Sequence, residues 1–163
     1  MMDVRMEVLE LLAENARLTI EQLATMLDLD EQEARRLVEE LEESHTILGY
    51  RTLVNWDKVQ KERVTALIEV KVTPQRDVGF RAVAERIGRF PEVKSLHLMS
   101  GAYDLAVFIE GRTMQEVAFF VATKLAPIDG VMSTTTHFVL QTFKKEGILL
   151  EEADGDHRLV MSP

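Results

Sequence analysis

Val4, Val8, Leu11 and Leu12 recur at helical spacing, and Glu7, Glu10 and Glu14 fall largely off that stripe. This predicts an amphipathic helix ending near Asn15-Ala16-Arg17. Thr19 with Gln22 is a capping box, and Ile20, Leu23, Ala24 and Leu27 form the apolar face of a short second helix. Asp30 is placed as an N-cap with Glu33 at the third helical position, opening a third helix on Ala34, Leu37, Val38 and Leu41. The few residues between the second and third helices match a helix-turn-helix. Beyond Glu43-Ser44-His45 the segment Ile47–Val54 is β-rich around Gly49, which suits a small wing or a connecting strand.

From Arg63 the period changes to two. Val64, Ala66, Ile68, Val70 and Val72 alternate with Thr65, Leu67, Glu69 and Lys71, as in a half-buried strand. Pro74-Gln75-Arg76-Asp77 breaks it, and Phe80, Val83, Ala84 and Ile87 restore helical spacing up to Gly88, placed as a C-terminal cap. Phe90-Pro91-Glu92 is a turn, followed by strands at Val93–Met99 and Tyr103–Glu110 around Ser100-Gly101-Ala102. Thr113 with Glu116 is another capping box, opening a long helix on Met114, Val117, Ala118, Val121 and Leu125. Pro127-Ile128-Asp129-Gly130 stops the helix, and Val131–Phe143 is the last strand. The order β-α-β-β-α-β is a ferredoxin-like split βαβ sandwich with helices on one sheet face. Leu67, Leu98, Ala106, Phe108 and Val139 are assigned to the other face. That face is too apolar for water, so a second sheet is expected on it in a homodimer.

Composition narrows the function. The 163 residues contain no cysteine, which removes disulfides, thiolate metal sites and Cys nucleophiles and fits a cytoplasmic protein. No apolar window reaches the about 18 residues of a membrane span, and no secretory signal is evident. Of the net charge of −9, residues 1–60 carry −8 and residues 61–163 only −1. An acidic N-terminal part has the wrong overall sign for nucleic acid, although local positive potential can coexist with it.

Two stretches carry candidate chemistry. The exposed side of the third helix holds Gln32, Arg35 and Arg36; arginine contacts phosphates or guanine edges and glutamine reads adenine. Glu39 follows one turn later, where it is expected to pair with Arg35 or Arg36. The second stretch is the turn around Gly101, which either adopts positive φ or lets another group approach its backbone. Its amides suit a carboxylate and Asp104 suits an ammonium, so the turn can hold a small zwitterion beside Tyr103. The competing reading is a hairpin corner whose Asp104 caps its own backbone.

The motifs Leu18-Thr19-Ile20-Glu21-Gln22-Leu23-Ala24, Leu37-Val38-Glu39-Glu40-Leu41-Glu42, Ile47-Leu48-Gly49-Tyr50 and Gly101-Ala102-Tyr103-Asp104 together resemble the Lrp/AsnC family, over roughly residues 3–145. The fold this implies is α+β, an N-terminal winged helix-turn-helix followed by a C-terminal ferredoxin-like βαββαβ ligand-sensing domain. The expected boundaries are 1–52 for the DNA-binding unit, 53–62 for a linker strand, 63–145 for the effector and oligomerisation domain, and 146–163 for an acidic tail. The resemblance also implies sheet-to-sheet dimers assembling further, with amino-acid effectors held between dimers. Carried onto this chain, it selects Met99, Ser100, Gly101, Tyr103 and Asp104, with Thr134 and Thr136 on the closing strand. Double-stranded DNA is the expected partner of Gln32, Arg35 and Arg36, with Arg5, Arg17 and Arg51 near them. No catalytic residue, metal or cofactor is expected.

The third helix departs from the family in its glutamates and in the Ser44-His45-Thr46 junction. Two other readings therefore accompany the regulator: a sensor that binds no DNA and partners a more basic paralogue, and an enzyme like the siroheme decarboxylases, which resemble this family in fold. For the latter the chain offers only His45, His97, His137 and His157, without metal-ligand spacing.

Overall fold

The computed structural model describes residues 3–59, 62–73 and 79–150. The expected turn at 74–77 and the acidic run from Glu151 lie outside these residues. The chain divides into two compact units, Met1–Val54 and Asn55–Pro163.

The first unit is built from α1 (Val4–Glu14), α2 (Ile20–Leu27) and α3 (Glu31–Glu43). Each helix starts where a side chain satisfies an otherwise orphaned amide. Asp3 accepts from the Arg5 amide and Asp30 from that of Glu33. Thr19 and Gln22 complete the reciprocal capping box at 3.2 and 2.9 Å. Asp28, in the left-handed region at φ 54°, ends α2 and turns the chain toward α3. Val8, Leu12, Leu23, Leu37, Val38 and Leu41 meet in one core, with Ile47 packed against it.

Among the described residues of the expected strands at 47–54 and 53–62, no strand forms. The Ile47 amide donates back to the Leu41 carbonyl, Leu48 and Tyr50 are exposed, and one 3₁₀ turn spans Trp56–Val59. A β-rich sequence becomes a strand only where a neighbouring strand pairs with its backbone, and neither sheet among the described residues includes this segment.

The second unit contains β1 (Val64–Val72), α4 (Gly79–Gly88), β2 (Val93–Leu98), β3 (Leu105–Gly111), α5 (Met114–Phe120) and β4 (Val131–Phe138). The sheet order is β2-β3-β1-β4, antiparallel throughout, the split βαβ topology. Ala66, Ile68, Val70, Leu105, Val107 and Ile109 face Val83, Ile87, Val117, Phe120 and Leu125 in its core.

Residues opposite one another on antiparallel strands share a face, so the register assigns both sides of the sheet. Leu67, Glu69, Ala106, Phe108, Thr135 and His137 lie on the face without helices. Leu98 does not belong there: it pairs with the core residue Leu105, and His97 takes the place beside Ala106.

Two further expectations are corrected. The long helix from Met114 is α-helical only to Phe120 and continues as a π-helical turn, Val121–Leu125, in which the Ala126 amide reaches the Val121 carbonyl. The last strand stops at Phe138, and Lys144–Lys145 (β5) then pairs with Ile148–Leu149 (β6). Residue 146, the expected start of a tail, is a hairpin turn position. Glu146 and Gly147 both have positive φ, 45° and 80°, as a two-residue type I′ connection requires.

Candidate DNA-binding face and effector turn

Because Ala34, Leu37, Val38 and Leu41 anchor α3, its outward ridge carries Gln32, Arg36, Glu39 and Glu43, with Arg35 on the flank; all five are exposed. Glu39 does not form the expected ion pair. Arg36 Nε instead lies 3.9 Å from Glu40 Oε1, while Arg5 Nη2 is 2.5 Å from Glu40 Oε2. Exposed pairs of this kind contribute about 0–1 kcal/mol, so Arg36 can move to a phosphate at little cost. Arg51 is exposed in the segment after α3, where the Tyr50 hydroxyl donates to Glu42 at 2.9 Å. Desolvation and this acceptor raise the tyrosine pKa. Gln32, Arg35 and Arg36 thus share one helix, with the carboxylates of Glu39 and Glu43 among them.

The 99–104 turn joins β2 to β3. The Met99 amide donates to the Asp104 carbonyl at 2.8 Å, closing the turn. The Asp104 amide donates to the Val70 carbonyl, and its Oδ2 accepts from the Val72 amide at 2.8 Å. The β1–β3 ladder ends at the Val70–Leu105 pair, so the next amide on that edge of β1, Val72, lies beyond the ladder and takes the carboxylate instead. Asp104 therefore caps the neighbouring strand rather than its own backbone.

Gly101 has none of the positive φ found at Gly49, Gly130 and Gly147. A Cβ added to it would meet nothing within 4 Å. Neither backbone strain nor crowding by the described residues accounts for a glycine there. Ser100 is exposed and Tyr103 half-buried beside it.

Thr134 and Thr136 face the helix side of the sheet, opposite Val70 and Ile68. Because β1 separates β3 from β4, Thr134 lies roughly 10 Å across the sheet from the start of β3. Thr136 is two residues further from the turn. Met99, Ser100, Gly101, Tyr103 and Asp104 are thus brought together, and Thr134 only approaches them.

The face without helices carries groups that alternation in single strands does not reveal. His137 Nε2 is 3.3 Å from Glu69 Oε1, and His97 meets the Phe108 ring edge-on. Arg63 pairs with Glu110 and stacks over Trp56. Register arithmetic between strands would have found the first two pairs; Trp56 and Arg63 lie outside the strands.

A helix-turn-helix unit followed by a βαββαβ sheet with an open turn is the architecture of transcriptional regulators that carry their own ligand-binding domain. Comparison with known proteins bears this out. Residues 3–47 match the winged helix-turn-helix DNA-binding profile, and residues 65–149 match the Lrp/AsnC ligand binding domain. The chain belongs to the Lrp/AsnC family. It is 49% identical over 158 residues to the HTH-type transcriptional regulator YugG of Bacillus subtilis, covering 96% of this chain and 95% of that protein. It is 31% identical to the regulator PH0140 of Pyrococcus horikoshii, over 86% of this chain and 85% of that one. In fold it resembles Escherichia coli AsnC (TM-score 0.68, 22% identity, 91% and 98% of the two chains). It also resembles the Neisseria meningitidis regulator NMB0573 in its L-Met complex (TM-score 0.70, 24% identity, 91% and 96%). No helix among the described residues is long and apolar enough to cross a membrane.

Proposed function

We propose that this regulator binds a palindromic DNA operator through Gln32, Arg35, Arg36 and Arg51, and responds to an amino acid held at Met99, Ser100, Gly101, Tyr103 and Asp104. Thr134, and Thr136 beyond it, would extend the pocket once two dimers meet. The observation that carries the reading is Gly101, a glycine in open space at an exposed turn, beside the carboxylate of Asp104. A ligand carboxylate needs close approach to backbone amides, which a side chain would obstruct, and its ammonium matches the charge of the Asp104 carboxylate. The L-Met complex of the Neisseria regulator supports an amino acid as the ligand class.

Dimerisation through the helix-free sheet face would cover the half-buried Leu67 and Phe108. Sedimentation should give a dimer or a multiple of one, and a monomer at micromolar concentration would refute this interface.

The test of function is a gel shift on DNA upstream of the protein's own gene, at about 50 and 200 mM salt, with and without pooled amino acids. A specific shift that the pool alters, and that Arg35→Ala/Arg36→Ala abolishes, is expected. The exposed Glu39 and Glu43 favour one competing reading, a sensor that does not touch DNA. Absence of a shift at both salts would select it.

A further inference from the structure

A groove of about 530 Å³ runs between α1 and the C-terminal end of α2. Leu11, Met26 and Leu27 form its apolar floor, and Glu7, Glu10 and Glu14 edge it along α1. Met26 is 56% exposed, although it shares α2 with the buried Leu23 and Ala24. The three glutamates stand at spacings of three and four, so they form one line of carboxylates about 10 Å long.

Among the described residues none of the three carries an ion pair. Glu7 suits the first turn of α1, but Glu14 lies in the last, where the helix dipole opposes a carboxylate and no basic residue offsets it. Glu7 and Glu10, and Glu10 and Glu14, also face one another as like charges one turn apart. The free protein thus carries an electrostatic cost that a cationic partner along this edge would relieve. Arg5, on the same helix, points elsewhere, to Glu40 of α3. Glu7 and Glu14 lie about 180–200° round α1 from Arg5. A partner seated in the groove therefore leaves the outward ridge of α3 uncovered.

We propose that this groove docks a basic amphipathic helix of a partner protein. Leucine or isoleucine side chains of that helix cover Leu11, Met26 and Leu27. Its lysines or arginines, at the same spacings of three and four, meet Glu7, Glu10 and Glu14. A small polyamine would satisfy the carboxylates and leave the apolar floor in water. Nucleic acid and anionic lipid have the wrong charge for this edge. The surface does not depend on whether α3 binds DNA or the 99–104 turn binds an amino acid.

The probe is a fluorescein-labelled peptide of leucine and lysine, roughly 15 residues long so that an isolated helix can hold, with leucines on one face and lysines along its edge. Anisotropy with the full chain at about 50 mM salt should show binding that Glu7→Gln/Glu10→Gln/Glu14→Gln weakens about tenfold and Met26→Gln severalfold. The triple variant also loses like-charge repulsion, so thermal unfolding should place it at or above wild type and exclude misfolding as the cause. Equal affinity in wild type and the triple variant overturns the site. Weakening in the triple variant with none in Met26→Gln reduces the contact to bare charge attraction and overturns it as well.

Wild type with isotope-labelled methyl groups on its methionines locates the peptide without any substitution. The Met26 signal should shift on titration, while those of Met114 and Met132, exposed in the second unit, stay in place. A Met26 signal that does not move overturns the proposal. Spermidine, which carries the charge without an apolar face, should not reproduce the shift; if it does, the occupant is a small polycation and the docking helix is overturned.

Discussion

Asp104 combines a structural bond with a proposed ligand contact, and substitution separates the two. Alanine removes the acceptor of the Val72 amide and should cost about 1–3 kcal/mol of stability. Asparagine keeps an acceptor but loses the charge that would meet an ammonium. Thermal unfolding should therefore place Asp104→Asn near wild type and Asp104→Ala well below it, while gel shifts show that both have lost the amino-acid response. Glu92 makes a separate prediction about pH. The hydrogen bond from Lys124 holds its carboxyl below the ordinary 4.5, against the opposing effect of desolvation. A depressed folded-state pKa contributes stability above the ordinary value and loses it as pH falls through the depressed one. The gap in Tm between wild type and Lys124→Met should be present at neutral pH and close in acid, as thermal melts across pH will show. Local sequence gave Asp104 and Gly101 as a pair, because turn residues carry their own signature. It did not give Glu92 with Lys124, whose side chains meet across 32 positions of the chain.

Capping was the most readable feature at the scale of elements, since it depends on residues three apart. Thr19 and Gln22 satisfy one another's backbone amides, so Thr19→Ala should destabilise the helical unit by about 1 kcal/mol and Thr19→Ser should restore most of it, measured by chemical denaturation. Thr113 realises only half of the expected box. Its hydroxyl accepts from the Glu116 amide at 3.1 Å, but the Glu116 carboxylate reaches past it to the amide and guanidinium of Arg112. The helix it opens shows the limit of periodicity. Val117 and Val121 fit one helical stripe, yet the backbone widens after Phe120 because packing of Phe120 and Leu125 on the sheet outweighs regular α-helical bonding. The segment after Thr46 failed as a strand for a different reason: its composition is right for β structure and its partner is missing from the described chain.

For the whole molecule the balance of charge around α3 matters most. Arg35 and Arg36 provide the proposed phosphate or guanine contacts, while Glu39 and Glu43 lie on the same exposed side and repel the DNA backbone. Glu39→Gln/Glu43→Gln should tighten binding to unrelated DNA, measured by fluorescence anisotropy at about 50 mM salt, with a smaller gain at about 200 mM where screening is stronger. If either glutamate reads a cytosine amino group, operator preference will relax in the same variant. A gain on removing these charges would identify the net −8 of residues 1–60 as a brake on indiscriminate binding.

Three helices, the caps that open the second and third of them, the βαββαβ order and the Gly-x-Tyr-Asp turn were legible in the sequence, because each element is written in spacings of two to four residues. Only the tertiary structure decided which face Leu98 occupies, that Glu40 rather than Glu39 takes Arg36, and that Asp104 serves the Val72 amide. These depend on strand register and on contacts between distant segments. A one-residue change of register moves a side chain to the opposite face, and neighbours in space set that register.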